Sequence, residues 1–288
     1  MKFSMHVRAA TLIVALLANA VAASPGYAQS ADTPPAAPAT VPTQAPARTF
    51  YTSRDAVLFG GSLVAALIMS RADQRIADQL ASIGEHNHWY HEIAKYGQSV
   101  GGAVPIVLSS GMFVVGKIAH QRRLADLGKW GVEAAALSTA TTWFIKGITG
   151  RARPYAAAGD VASYKFGRGF KNDAYASFPS GHTTAAFAMA AVLARGTADR
   201  SPRTHLIVTS LAFTTATIIG ISRIYANQHW PSDVVVGAAV GTISGFAVVR
   251  ASGLAHSDST KSALAYIRNH ATIAPLPRGG MMLAFSVR

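Results

Sequence analysis

The chain has 288 residues, of which only 14% are charged and half are hydrophobic, whereas ordinary soluble domains carry about 25% charged residues. That composition points to a membrane protein or a very apolar helical bundle, and the formal charge of +13 points to anionic partners. With no cysteine in the chain, disulfides, thiolate metal sites and cysteine nucleophiles are excluded.

At the start of the chain, Lys2 and Arg8 precede an apolar run to about Ala23, and small residues follow. This pattern over residues 1–28 is that of a signal peptide or of a retained N-terminal anchor. Residues 29–48 are rich in Pro, Ala and Thr and read as an extended linker, too poor in bulky apolar surface to fold. Residues 49–255 form the domain proper, and 256–288 a C-terminal tail.

Within the domain, apolar segments recur at 56–70, 97–116, 130–145, 183–194, 206–222 and 234–249, with no strand alternation and no repeat. The expected fold is all-α, a helical bundle of five or six membrane helices. Only 97–116 has the ~20 uncharged residues of an unambiguous span. The other segments are rich in Ala, Gly, Ser and Thr, which suits close helix packing in a membrane and equally a buried bundle in water. The stretches 117–129 and 194–203 are basic, as is the tail after Arg250. Placed in the cytoplasm, they put 146–182 and 223–233 together on the periplasmic face. Segment 56–70 then either lies on the outer face or dips in without crossing, after a cleaved signal, or crosses and keeps the preceding chain inside. Nothing resembles a sizeable soluble basic domain, so nucleic acid is not an expected partner.

Three clusters carry chemistry. In "SFPSGHTT" (177–184), Ser180 is a favoured N-cap, and a helix N-terminus attracts anions through its unpaired N–H groups. Gly181 and His182 sit at that start. "KGITGRARP" supplies Lys146 and Arg153, and "SRIYANQHWPSD" supplies Arg223, His229 and Asp233. Pro231 is compatible with a first helical turn, which puts His229 at a helix mouth and Asp233 about one turn in. A carboxylate beside a histidine fixes its tautomer and supports the imidazolium. Taken singly, each cluster is a capped or dipole-complemented helix end. Together, cations, histidines and a helix start on one face suit a tetrahedral oxyanion, with one histidine to attack and one to protonate.

These three motifs, in this order over residues 146–233, resemble those of the type 2 phosphatidic acid phosphatase (PAP2) superfamily, and its membrane-associated lipid phosphatases in particular. The resemblance implies that Lys146, Arg153 and Arg223 bind phosphoryl oxygens, with Ser180 and the Gly181 N–H adding hydrogen bonds. It implies that His229 is the nucleophile, forming a phosphohistidine, that Asp233 orients its ring, and that His182 is the general acid and base. No metal and no cofactor are expected, the cationic side chains taking the metal's place. The expected activity is hydrolysis of a lipid phosphate or diphosphate, by a phosphoric monoester hydrolase or lipid diphosphatase of the bacterial inner membrane with a periplasm-facing site. The same superfamily includes soluble periplasmic acid phosphatases and vanadium haloperoxidases, which stand as alternatives. Two further stretches have open readings. His86, His88 and His91 in "GEHNHWYHE" form a metal site or an interfacial turn. The loop 155–176, with Lys165, Arg168 and Lys171 among aromatics, forms a lid, a headgroup-contacting surface or a merely solvated loop.

Overall fold

The computed structural model describes residues 50–86, 88, 92, 95, 97, 102–157, 159–256, 271–275 and 281–285. Its helices in chain order are α1 (Ser53–Ser70), α2 (Asp73–His86), α3 (Val104–Ile118), α4 (Arg122–Thr149), the single turn α5 (Pro154–Ala157), α6 (Gly181–Gly196), α7 (Pro202–Tyr225) and α8 (Pro231–His256). Strands β1 (Ala271–Pro275) and β2 (Met281–Phe285) pair antiparallel in the tail, with Ile273 opposite Leu283.

Local chemistry sets most of the boundaries. Thr52 opens α1 with a capping box, its hydroxyl accepting from the Asp55 N–H (3.3 Å) while Asp55 accepts from the Thr52 N–H (2.7 Å). Ser201 caps α7, with Pro202 in its first turn. Gly150 ends α4 at φ 57°, the left-handed region where glycine costs least. The expected span at 97–116 appears as α3, which starts only at Val104 because Pro105 belongs in a first turn.

Helix α6 is the axis of the bundle. Twelve of its residues are buried, from Thr183 to Gly196. It packs on α8 along Gly237, Gly241 and Gly245, which face the α6 backbone at Ser180, Thr184 and Ala188. Small residues at every fourth position let two backbones approach, as in membrane helix pairs. Met112, Leu127, Met189, Val192, Val208 and Val248 fill the core between α3, α4, α6, α7 and α8.

The exterior decides between membrane and water. Among the described residues, α1, α7 and the Pro231–Ser252 part of α8 are long and apolar enough to cross a bilayer, with α3 shorter. Their outward faces carry Val57, Leu67, Val107, Ile118, Leu206 and Leu211, all well exposed. Such a belt is the surface that hydrocarbon solvates and water does not.

The bundle has two distinct ends. At one, Arg123 pairs with Asp199 and donates to the Gly196 carbonyl, and a cavity there is lined by Arg122, Arg195 and Val249. The ends of α4, α7 and the loops 150–180 and 226–230 gather at the other. The two-sided sorting expected from the basic stretches is thus present. Arg250, near the first end, donates to the Phe50 carbonyl (3.1 Å) and pairs with Asp55 (2.5 Å). Asp73, just past α1, reaches Ser232 at the other end. Helix α1 therefore runs along α8 from one end of the bundle towards the other.

Candidate active site

The three sequence clusters meet at the end of the bundle opposite Arg123. Beyond Gly150 the chain doubles back along 163–177. Ala152 N–H donates to the Ser163 carbonyl, Arg153 N–H to that of Ala174 and Ser177 N–H to that of Arg151. This places Lys146, on the last turn of α4, under the strand of chain that leads into α6. The Lys146 amine donates to the carbonyls of Ala176 and Ser177, the latter at 3.4 Å. His229 Nδ1 lies 2.8 Å from the same Ser177 carbonyl. One carbonyl oxygen thus joins two candidate residues that lie far apart in the chain.

That contact also fixes the histidine. A carbonyl only accepts, so His229 Nδ1 carries the proton and Nε2 keeps its lone pair. Burial, then the nearby charge of Lys146, holds its pKa down to about 3 against the opposing pull of Asp233, so the ring is neutral and nucleophilic at physiological pH.

Asp233 differs from the expectation of a direct orienting bond. Its Oδ2 is 3.7 Å from His229 Nδ1, too long for a hydrogen bond. The carboxylate is instead held by the Ser177 hydroxyl (2.5 Å), the Trp230 N–H (2.9 Å) and Arg151 (2.6 Å). The direct acceptor from the ring is the Ser177 carbonyl, and Asp233 acts through its charge and its grip on Ser177.

Ser180 takes the N-cap of α6 as expected, but its side chain caps nothing. Its hydroxyl accepts from Thr183 (2.9 Å) and its N–H donates to the Asp233 carbonyl (3.0 Å). The first N–H groups of α6 are therefore left for another acceptor. Gly181 lies beside them, and a Cβ there would sit 3.8 Å from Lys146 Cε. His182 follows, with Gly102 so close that a Cβ at 102 would lie 3.2 Å from Nε2. Burial first, then Arg223, Lys146 and Arg153, lower the His182 pKa to about 4. All three expected phosphate-binding cations therefore act on this one ring.

The cations are unequally partnered. Arg153 donates to the Asp173 carboxylate (2.7 Å) and to Gln228 Oε1 (3.0 Å). Lys146 has carbonyl partners and, among the described residues, no carboxylate. Arg223 is buried, and among the described residues its Nε has no hydrogen-bond partner. A buried guanidinium without an anion is costly unless the site takes one up.

Sequence reasoning missed Arg151, Asp73, Ser177 and Ser232, which form a buried network under Asp233. Arg151 stands inside "GRARP", between Lys146 and Arg153, and could have been weighed. Nothing in the sequence links Asp73 to a site that begins more than seventy residues later. In the 155–176 loop, Lys165 and Arg168 lie over the Tyr175 ring (4.9 and 4.8 Å). No group of three potential metal ligands occurs among the described residues, and His91 of the histidine cluster lies outside them.

Residues 130–256 match the sequence profile of the PAP2 superfamily. Over 88 residues the chain is 43% identical to the lipid A 1-phosphatase of Porphyromonas gingivalis, a match covering 30% of this chain and 19% of that protein. Among solved structures, a transmembrane PAP2 type phosphatidylglycerolphosphate phosphatase from Bacillus subtilis is similar at a TM-score of 0.46 and 21% identity, covering 72% of this chain and 98% of that one. Aquifex aeolicus LpxE is similar at a TM-score of 0.43 and 25% identity, covering 60% and 93%.

Proposed function

Because the chain belongs to the PAP2 superfamily, we propose that it is a membrane-embedded phosphatase that hydrolyses a lipid phosphate or diphosphate through a phosphohistidine, without a metal. The observation that carries this reading is the convergence of Lys146, Arg153 and Arg223, whose Nε has no hydrogen-bond partner among the described residues, on His182 at an open helix N-terminus, with Lys146 and Arg153 also close to His229. The apolar belt favours a lipid substrate over the soluble acid-phosphatase alternative.

In this mechanism the phosphoryl oxygens lie among Lys146, Arg153, Arg223 and the first N–H groups of α6. Arg223, whose Nε has no hydrogen-bond partner among the described residues, offers a bidentate contact. His229 Nε2 attacks phosphorus in line, and the P–O bond to the lipid breaks. His182 delivers a proton to the leaving oxygen. Approach of the phosphate offsets the three cations that hold His182 neutral, so the substrate itself helps to protonate its acid. Nδ1 keeps its proton throughout, and the phosphorylated ring is a cation opposite Asp233. His182, now neutral, takes a proton from water as the water oxygen attacks phosphorus; the N–P bond breaks, its electron pair returns to His229 Nε2, and inorganic phosphate leaves. Positioning and charge stabilisation supply the acceleration.

The basic stretches orient the site towards the periplasm. Since α1 begins beside Arg250, residue 50 then lies in the cytoplasm. A cleaved signal, or a single-pass anchor, over residues 1–28 would deliver residue 50 to the periplasm. The two expectations exclude each other, and we give precedence to the orientation that several basic segments share. The function is tested by phosphate release from a panel of lipid phosphates, with detergent-purified protein and EDTA present. Release from at least one lipid is expected. No release from any, or loss on chelation that a divalent ion restores, contradicts the reading.

A further inference from the structure

We propose that Asp73 is a positioning residue for the nucleophile, acting through Arg151 on Asp233. The inference rests on the phosphohistidine reading above and adds to it a residue from a helix that none of the catalytic motifs contains.

Asp73 is the first residue of α2 and is fully buried. Its Oδ1 accepts from the Ser232 N–H (2.9 Å), and its Oδ2 from the Ser232 hydroxyl (2.5 Å) and Arg151 Nη2 (2.8 Å). It therefore satisfies an N–H in the first turn of α8, the helix that bears Asp233. Arg151 is equally buried and lies between the two carboxylates. Nη1 donates to Asp233 Oδ1 (2.6 Å) and the Ser232 hydroxyl (2.8 Å), and Nη2 donates to Asp73 and the Val161 carbonyl (2.8 Å).

Charge explains why a second carboxylate is useful there. An isolated Arg151–Asp233 pair would be neutral and would offer His229 little net field. Asp73 shares the guanidinium and leaves the cluster with one excess negative charge, facing a ring 3.7 Å from Asp233. Buried excess charge is unfavourable in the resting enzyme. It becomes favourable when the N–P bond forms and the imidazole, still protonated on Nδ1, turns cationic. Stabilisation that appears only as the reaction proceeds lowers the barrier and leaves substrate binding alone. Geometry acts in the same direction. With Arg151 fixed at both ends, Asp233 cannot turn away from Ser177, whose carbonyl holds the ring.

The test is Asp73→Asn, which keeps the volume and removes the charge. Its kcat on a lipid phosphate should fall by about 10–100-fold, the range usual for outer-shell partners. KM and competitive inhibition by inorganic phosphate should stay within about twofold, since Asp73 does not touch the phosphate pocket. Asp73→Glu, which restores the charge, should exceed Asp73→Asn in kcat. Introduced into Asp233→Asn, Asp73→Asn should cost little more, because residues acting through one another are not additive. Wild-type kcat in Asp73→Asn, equal activity of the Asn and Glu variants, or a full additional loss in the Asp233→Asn background would overturn the proposal while leaving the phosphatase reading intact. An inactive wild-type protein would instead refute that reading. If Asp73→Asn does not accumulate, Asp73→Ser serves: it keeps a short oxygen acceptor at the start of α2 and removes the charge, kcat should fall as in Asp73→Asn with KM unchanged, and wild-type kcat there would overturn the proposal.

Discussion

Replacing Gly237 by Ala should separate the two halves of the site. A Cβ at 237 would lie 2.7 Å from the Ser180 carbonyl oxygen, 3.2 Å from Thr184 Oγ1 and 3.4 Å from the Ser180 N. The first of these is backbone and cannot swing aside. Carbon–oxygen contacts settle near ~3.3 Å, so α6 and α8 must part by about 0.6 Å at this level. Ser180 N–H donates to the Asp233 carbonyl at 3.0 Å, and that bond spans the same gap. The start of α6, proposed to bind phosphate, thus moves relative to His229 and Asp233. Since a misplacement of ~1 Å costs about 100-fold, roughly half of that shift should cost about tenfold in kcat. Stability should change little, because alanine gains up to ~1 kcal/mol of helix propensity over glycine, which opposes the packing loss. The assay is phosphate release by the purified variant, with thermal unfolding in the same detergent. Gly60→Ala and Gly111→Ala, where a Cβ meets nothing within 4 Å, are the controls and should stay within about twofold. Wild-type kcat in Gly237→Ala would refute the claim that α6–α8 spacing sets the site.

Other outcomes follow from the same geometry. His182 is held near pKa 4 in the free site, chiefly by burial and then by Arg223, Lys146 and Arg153. Proton donation is lost as pH rises through that pKa, so the basic limb of kcat should lie at least about one unit above that of kcat/KM, because bound phosphate raises it; coincident limbs in the two pH profiles would refute this. His182→Ala should hydrolyse p-nitrophenyl phosphate with a burst of nitrophenol and then a slow phase, since that leaving group needs little protonation but the phosphohistidine still needs its base; rapid-mixing absorbance reads it, and linear kinetics would argue against the role. Single cysteines at Tyr51 and Ala198 should resist an impermeant thiol reagent in intact spheroplasts while one at Ala162 reacts, and labelling at Tyr51 would restore an exported N-terminus.

The pocket was legible because its residues sit at helix ends in short motifs, where spacing alone fixes which side chains face the same way. Lys146, Arg153, Ser180, Gly181, His182, Arg223, His229 and Asp233 all fall at one end of the bundle. The supporting network was not legible for two reasons. Arg151 lies among basic residues in "GRARP", and only its burial against Asp73 and Asp233 distinguishes it from a dipole-complementing charge. Asp73 is an isolated acid in "SRADQR", and its partner Ser232 is joined to it by tertiary packing alone. Helix lengths were misjudged where apolar composition ran past a local stop, as at Pro105, which begins α3 inside the expected 97–116 span. The course of α1 is read from two remote contacts, Asp55 with Arg250 and Asp73 with Ser232, which no local pattern signals.

The central claim is that His229 becomes phosphorylated during turnover. It is tested most directly by rapid acid-free quenching of the enzyme with a lipid phosphate labelled in the phosphoryl group, followed by peptide mapping. The expected result is base-stable, acid-labile label on the peptide containing His229, formed at least as fast as steady-state turnover and absent from His229→Ala. Turnover with no trapped label at any time, or label on another residue while His229→Ala remains active, would contradict the account.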